Sequence, residues 1–409
     1  MNRIETKWQV AIFCVIHLLI LAIAFNSGLY SGMRYSSVGL FFDYSSHLFS
    51  GEIPYKDFLL EYPPVGLVFF SLPYLFASNF DTYTIAFVIQ IAIFNLLGLV
   101  IISSISQHLG VALWKTLTVF TLALLAIGPI IIHSYDLIPS MLVLSALYVF
   151  CQGKRKTAWA ILAVATMTKF YPVIIAPIFL LCHLYGRQYR QIGTGVVTFF
   201  ITIVAIGVPF VILSPDGVCD LFGYHIQRGL QVETIYSSFL LMGHILGLES
   251  VQLDFNFGSW QVVSPQAGIL AKTSVVPMFL CLTVIYWFFY RGLVKKGPSQ
   301  SKLFPINPHD TWLIIHYSLL AILIVIITGK VLSPQYIIWL YPLVPLICGR
   351  RGYGSWAIFI LLGAMTYYVF PEHYLGLLEL SQPVVAVLFC RNVLLMLMAA
   401  LLLVKRPDR

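Results

Sequence analysis

The sequence predicts an all-α, polytopic membrane helical bundle, and three observations carry that class. Hydrophobic residues make up 59% of the 409, charged residues only 10%, and the mean hydropathy is +0.90. A soluble domain carries about a quarter charged residues, so this chain cannot cover a water-facing surface of its size. Apolar runs recur from end to end, and basic residues cluster in the short segments between them. Disordered, collagen-like and nucleic-acid-binding classes need far more polar or basic sequence. No nucleic-acid partner is expected; the expected surroundings are membrane lipids.

A hydrocarbon core about 30 Å thick takes roughly 20 helical residues. Apolar runs of that order occupy 8–30, 83–104, 193–213, 268–290 and 383–404. The first is too long for the apolar core of a signal peptide and lacks a small-residue cleavage site, so it reads as a first span. Shorter runs occupy 64–77, 116–132, 138–151, 158–168, 172–185, 312–328, 337–348 and 356–370. Run 158–168 would rise only about 16 Å as a helix. Such pieces suit helices that break at depth, where irregular backbone must be buried in protein or line a wet cavity.

Lysine and arginine placement sets the orientation. Clusters at Arg3/Lys7, Lys154–Lys156, Arg187/Arg190, Arg291/Lys295/Lys296, Arg350/Arg351 and Lys405/Arg406 all fall on one side if both termini are cytoplasmic. With Lys115, Lys302 and Arg409, that side carries 17 basic and 3 acidic residues, or +14, and the remainder carries −6. The formal net charge of +8 therefore records topology and is not a polyanion-binding patch. The expectation is a single membrane domain over 1–409, multi-pass in the cell (inner) membrane, with about 11–13 transmembrane helices. Segment 64–77 would be interfacial or re-entrant. Outer loops would run over 31–62 and 214–267, the second folding as short interfacial helices. The seven cysteines, at 14, 151, 182, 219, 281, 348 and 390, show no paired spacing, so neither a disulfide framework nor a zinc site is encoded.

The densest chemical signal is the first outer loop, with Asp43-Tyr44, then Gly51 to Phe58, then Glu61-Tyr62-Pro63-Pro64. Asp43 stands between apolar residues, and a carboxylate held against an apolar wall is partly desolvated, which suits a general base. The same position also fits an ordinary solvated loop acid. Lys169 and Lys330 form the second signal. Each follows an apolar run and precedes a proline, Pro172 and Pro334, near the outer face where basic residues are scarce. An ammonium there must snorkel or find an anion, and a lipid-linked phosphate would suit. His133 and Asp136, three apart, share a helix face and fit a structural hydrogen-bonded pair better than a metal site. Arg228, with His225 three residues before it, fits a phosphate contact or a solvated arginine. His316 and Arg391, inside apolar runs, read as buried polar packing partners.

The run Asp43-Tyr44…Gly51-Glu52-Ile53-Pro54-Tyr55-Lys56-Asp57-Phe58…Glu61-Tyr62-Pro63-Pro64 resembles the first-loop signature of the polyprenol-phosphate-mannose-dependent alpha-mannosyltransferases, glycosyltransferase family 87 of the GT-C membrane class. Lys169-Phe170-Tyr171-Pro172 followed by Pro177 resembles that family's mid-chain motif. Lys330-Val331-Leu332-Ser333-Pro334-Gln335-Tyr336…Trp339…Pro342 resembles its late motif. The resemblance implies a GT-C-type bundle and an inverting transfer of a sugar, mannose, from a polyprenyl phosphate donor to a glycolipid or glycan acceptor. The site would face the periplasm or exterior. It implies Asp43 as general base, and Lys169, Lys330, Arg228 and His225 at the donor phosphate. Asp57, Glu61, Tyr62, His133, Asp136, Gln335 and Tyr336 would contact substrate, with Asp57 and Glu61 as rivals for the base. No cofactor and no metal are expected. The competing classes are a secondary transporter or lipid flippase, whose interrupted segments the two Lys…Pro breaks resemble, and an O-antigen polymerase or ligase.

Overall fold

Where each apolar run starts and stops in three dimensions follows from prolines, caps and charge. A computed structural model describes residues 3–28, 32, 34–295, 306–347 and 352–404. Tyr30, Ser31, Lys296, Lys302, Cys348, Arg350, Arg351, Lys405, Arg406, Asp408 and Arg409 lie outside the described residues, as does the side chain of Arg3.

The first helix, α1 (Arg3–Asn26), is followed by a π-helical turn (Arg34–Val38) and α2 (Gly39–Phe49). Next come α3 (Pro64–Tyr74), α4 (Phe80–His108) and α5 (Leu113–Ile127). Proline at the first position pre-sets α3. A reciprocal cap starts α4: the Thr82 amide donates to Asn79 Oδ1 at 2.9 Å, and the Asn79 amide to Thr82 Oγ1 at 3.1 Å. A 3₁₀ turn (Gly128–His133) extends α5, and α6 (Leu137–Cys151) and α7 (Arg155–Thr168) follow. Another 3₁₀ turn (Tyr171–Ile175) leads into α8 (Ala176–Tyr185), then α9 (Tyr189–Leu213).

The second outer segment folds as α10 (Pro215–Gln227), β1 (Leu230–Gln231), α11 (Ile235–Ile245), β2 (Gln252–Asn256), β3 (Ser259–Val263) and α12 (Pro265–Thr273). Short helices are present as expected, and an antiparallel sheet of order β1-β3-β2 accompanies them. Its hairpin turns at Phe257 and Gly258, both at positive φ (49° and 66°), the backbone a two-residue type I′ turn requires. The remaining helices are α13 (Val275–Val294), α14 (Pro308–Thr328), α15 (Gly352–Tyr367), α16 (Tyr374–Leu378) and α17 (Gln382–Val404).

Among the described residues, eight helical stretches are long and apolar enough to cross a bilayer, accompanied by shorter apolar helices that include α3, α6 and α11. The chain is an all-α, multi-pass membrane bundle. One run departs from the sequence expectation. Residues 334–346 form two 3₁₀ turns, Pro334–Trp339 and Val344–Leu346, in place of a helix over 337–348. Prolines 334, 342 and 345 remove the amide donors that a continuous helix needs, and the turns stay buried.

Helix α14 is the central post, largely buried, whereas α1 and α9 are largely exposed. Exposed Trp8, Ile12, Leu19 and Ile23 on α1, and Phe200, Ile201 and Ile212 on α9, face outward as lipid-facing side chains do. A polar chain ties α1 inward: His17 reaches Thr121 Oγ1 at 2.9 Å and Asn95 Nδ2 at 2.8 Å, and Tyr341 donates to Asn95 Oδ1 at 3.1 Å. All four are buried, and in lipid such bonds replace the missing hydrophobic drive between helices.

Candidate active site

The two Lys…Pro breaks converge. Helix α7 ends at Thr168, Lys169 is extended (φ −155°) and the 3₁₀ turn begins at Tyr171. Pro172 has no amide hydrogen to give the Thr168 carbonyl, so α7 cannot run on through it. Helix α14 likewise ends at Thr328, and the chain re-enters as a 3₁₀ turn at Pro334. The segments meet through stacked rings, Tyr171 on Trp339 at 4.0 Å and Tyr336 on Trp339 at 3.9 Å between centroids. The Lys169 ammonium sits 5.1 Å from the Tyr336 ring and 5.2 Å from the Trp339 ring.

Beside them lies a cavity of about 340 Å³ whose walls come from the first outer segment, the helix breaks and the second outer segment. Of the sequence candidates, Glu61, Tyr62, Asp136, Lys169, His225, Arg228, Gln335 and Tyr336 line it. Asp43, Asp57, His133 and Lys330 are not among its lining residues.

Helix phase accounts for Asp43. Phe41, Tyr44 and Ser45 turn one face of α2 into the core, so Asp43 points the other way and is exposed. Asp57 closes the loop it belongs to, accepting from the Ile53 amide at 2.7 Å. The loop is held further by the Tyr55 hydroxyl, which donates to the Tyr62 carbonyl at 2.6 Å, and by Ser214, whose Oγ donates to the Tyr55 carbonyl at 3.1 Å. These bonds place Glu61 in the cavity wall. Burial pushes the Glu61 carboxyl above the usual carboxylate range, opposed by the polar neighbour Tyr224 and by the charge of Arg228.

His133 and Asp136 do not pair with each other. The His133 ring bonds the Pro129 carbonyl at 2.9 Å. Asp136 is buried and fully engaged: Lys169 Nζ lies 2.5 Å and Trp339 Nε1 2.6 Å from Oδ1, and Ser134 Oγ donates to Oδ2 at 2.7 Å. The partner of Asp136 is thus the lysine from the helix break. A carboxylate with those donors is an anchor for Lys169.

Arg228 stacks on Tyr224 at 5.6 Å and donates from Nη2 to Ser259 Oγ at 2.8 Å, while its buried Nε has no partner. Burial and the Arg228 charge pull His225 down to about 4, so its ring is neutral at pH 7. Its Nε2 lies 3.2 Å from the Glu61 carbonyl, which makes it a donor that positions the Glu61 backbone. Lys330 Nζ donates to the Ile226 carbonyl at 2.7 Å, and burial with the neighbouring Arg228 lowers its pKa. Lys330 therefore adds charge behind the cavity wall.

Sequence reasoning singled out neither Tyr224 nor the hairpin. The Tyr224 hydroxyl donates to the Phe257 carbonyl at 2.6 Å, which docks the turn of the hairpin beside Glu61. The Asn256-Phe257-Gly258 turn was the available signal. Arg391 and His316 are buried as expected, Arg391 on Glu233 at 2.8 Å and His316 on the Leu402 carbonyl at 2.9 Å. Among the described residues no three His, Cys, Asp or Glu side chains gather as metal ligands.

No curated protein matches the chain. The family model of glycosyltransferase family 87 matches residues 58–299, more than half of the 409. That span contains Glu61, Asp136, Lys169, Tyr224, His225 and Arg228, and leaves Asp43 and Lys330 outside. With a polytopic bundle around a cavity that brings carboxylates and cationic side chains together, the match identifies the chain as a membrane glycosyltransferase that belongs to glycosyltransferase family 87.

Proposed function

We propose that the protein transfers mannose from a polyprenyl phosphate donor to an acceptor hydroxyl of a glycolipid or glycan, with inversion at the anomeric carbon. Glu61 is the general base in this reading, in place of Asp43. It takes the proton of the acceptor hydroxyl as that oxygen bonds to C1. The C1–O bond to phosphate breaks on the opposite face, and the electron pair leaves with polyprenyl phosphate. The observation that carries this reading is that Glu61, partly desolvated, shares one cavity with Tyr224, Arg228 and Lys169.

The departing polyprenyl phosphate, a phosphate monoester, is already a weak base, so it needs positive charge more than a proton. Arg228 offers an unpartnered Nε. Lys169 has three N–H donors, one of which goes to Asp136. Lys330 supplies further positive charge close by. An apolar groove lined by Leu48, Pro64, Leu67, Leu72 and Phe210 begins at Pro64, next to Pro63 of the cavity wall, and suits a prenyl chain. The sum of charges supports an orientation with this cavity on the periplasmic or exterior side and both termini in the cytoplasm.

The test is incubation of the purified protein with radiolabelled polyprenyl-phosphate sugars and a native lipid extract. Label from polyprenyl-phosphate mannose should appear in a new glycolipid or glycan. Transfer from a nucleotide sugar alone, with none from the lipid-linked donor, would contradict the proposal.

A further inference from the structure

Glu233 also lines the cavity, and the transfer chemistry gives it no task. It follows β1, precedes α11 and is completely buried. Arg391, buried in the membrane helix α17, grips it twice: Nη1 donates to Oε2 at 2.8 Å and Nη2 to the Glu233 carbonyl at 2.8 Å. Asn392 braces the guanidinium, its Oδ1 accepting from Arg391 Nε at 3.1 Å and Nη2 at 2.9 Å. The Asn392 amide in turn donates to the carbonyls of Glu233 at 3.2 Å and Thr234 at 3.1 Å. The carboxylate is thereby fixed, yet its Oε1 is buried with no hydrogen-bond partner.

A purely structural ion pair in so dry a place would place both oxygens on the guanidinium fork, the strongest geometry open to it. Here Arg391 commits its second N–H to a backbone carbonyl, and Oε1 of this cavity-lining residue is left without a donor. A charged acceptor without a donor is costly in the empty site and is relieved by a ligand that brings O–H groups. Phe370 and Tyr374, edge to face at 4.9 Å, line the same cavity and offer aromatic surface to the C–H face of a sugar ring.

We propose that Glu233, oriented by Arg391 and Asn392, is a specificity-determining residue whose Oε1 accepts hydrogen bonds from hydroxyl groups of the transferred sugar. The proposal rests on the reading of this cavity as the sugar-transfer site. Arg391 and Asn392 are positioning residues. A site built around such a bond rejects analogues that lack the hydroxyl far more strongly than an apolar pocket rejects a missing methylene.

The test follows the thermal unfolding midpoint of the detergent-solubilised full chain with methyl α-mannopyranoside, with its four monodeoxy analogues, and separately with polyprenyl phosphate. Wild type should be stabilised by the glycoside, and at least one deoxy analogue should give no shift. In Glu233→Gln the amide oxygen keeps the Arg391 bond and turns an NH₂ group toward the cavity, so the acceptor becomes a donor and the glycoside shift should vanish. The double variant E233L/R391M removes the pair without leaving a buried charge and should also lose the shift, with the unliganded midpoint reporting that each variant folds. Equal stabilisation by the parent glycoside and all four analogues would overturn the proposal. So would no response of wild type, or an undiminished shift in both variants. A glycoside shift that depends on Glu233, with no shift from polyprenyl phosphate, would uphold Glu233 and refute the lipid-phosphate donor.

Discussion

At the scale of single residues, the site turns on how burial and charge act on Glu61. Burial raises its carboxyl above the ordinary range, while Tyr224 and Arg228 oppose the rise. A general base works when ionised, so the rate should climb with pH through this raised value, above the ordinary glutamate pKa of about 4.3. Replacing Arg228 with methionine removes a positive charge that favours the carboxylate. The acid limb of the pH–rate profile should therefore move to higher pH. Loss of its N–H donors at the phosphate should also lower kcat by about 10²–10³. A limb that stays in place or moves down would contradict the coupling. His225, already neutral, should leave the limb where it is when changed to glutamine.

The distinction between Asp43 and Glu61 shows what the sequence could and could not tell. Both are carboxylates in one motif-rich loop, flanked by apolar residues. The phase of α2 separates them, because Phe41, Tyr44 and Ser45 at i, i+3 and i+4 define its buried face. Phe42, which packs on Tyr83 at the margin of that face, blurred the phase in the linear pattern.

At the scale of elements, the helix breaks were legible because prolines and lysines are strong local punctuation in an apolar chain. Their convergence was not, since the stack of Tyr171 and Tyr336 on Trp339 joins segments over 160 residues apart. The docking of the β2–β3 turn on Tyr224 is equally non-local. Element geometry also makes a glycine necessary. In α10, a Cβ at Gly217 would overlap the Tyr55 carbonyl, the group that fixes the loop carrying Glu61. Gly217→Ala should therefore push α10 off that loop and lower turnover about tenfold or more through misplacement of the base. Turnover equal to wild type would show that the contact does not position Glu61. The polar chain of His17, Asn95, Thr121 and Tyr341 ties α1 to α4 and α5. His17→Leu should lower unfolding stability in detergent by about 0.6–2 kcal/mol, read from thermal or denaturant unfolding.

At the scale of the whole molecule, composition revealed the class, because 10% charged residues cannot clothe a soluble surface. The lipid-facing sides of α1 and α9 match that reading, as does the burial of α14. The charge distribution further predicts which side of the membrane α10 occupies. Cys219 on α10 is exposed, and an impermeant maleimide added to intact cells should label it. Cys390 is also exposed but lies on the membrane helix α17, where lipid shields it and labelling should fail. Labelling of Cys219 only after the membrane is broken would reverse the proposed orientation.

The central claim is that a carboxylate inside the cavity, and not the exposed one on α2, removes the proton from the acceptor. It is tested most directly by the turnover of Glu61→Gln and Asp43→Asn with polyprenyl-phosphate mannose, each in protein that folds as wild type. Glu61→Gln should lose about 10²–10⁴-fold in kcat, with Asp43→Asn remaining within a few-fold of wild type. The opposite pattern, with Asp43→Asn inactive and Glu61→Gln competent, would contradict the account.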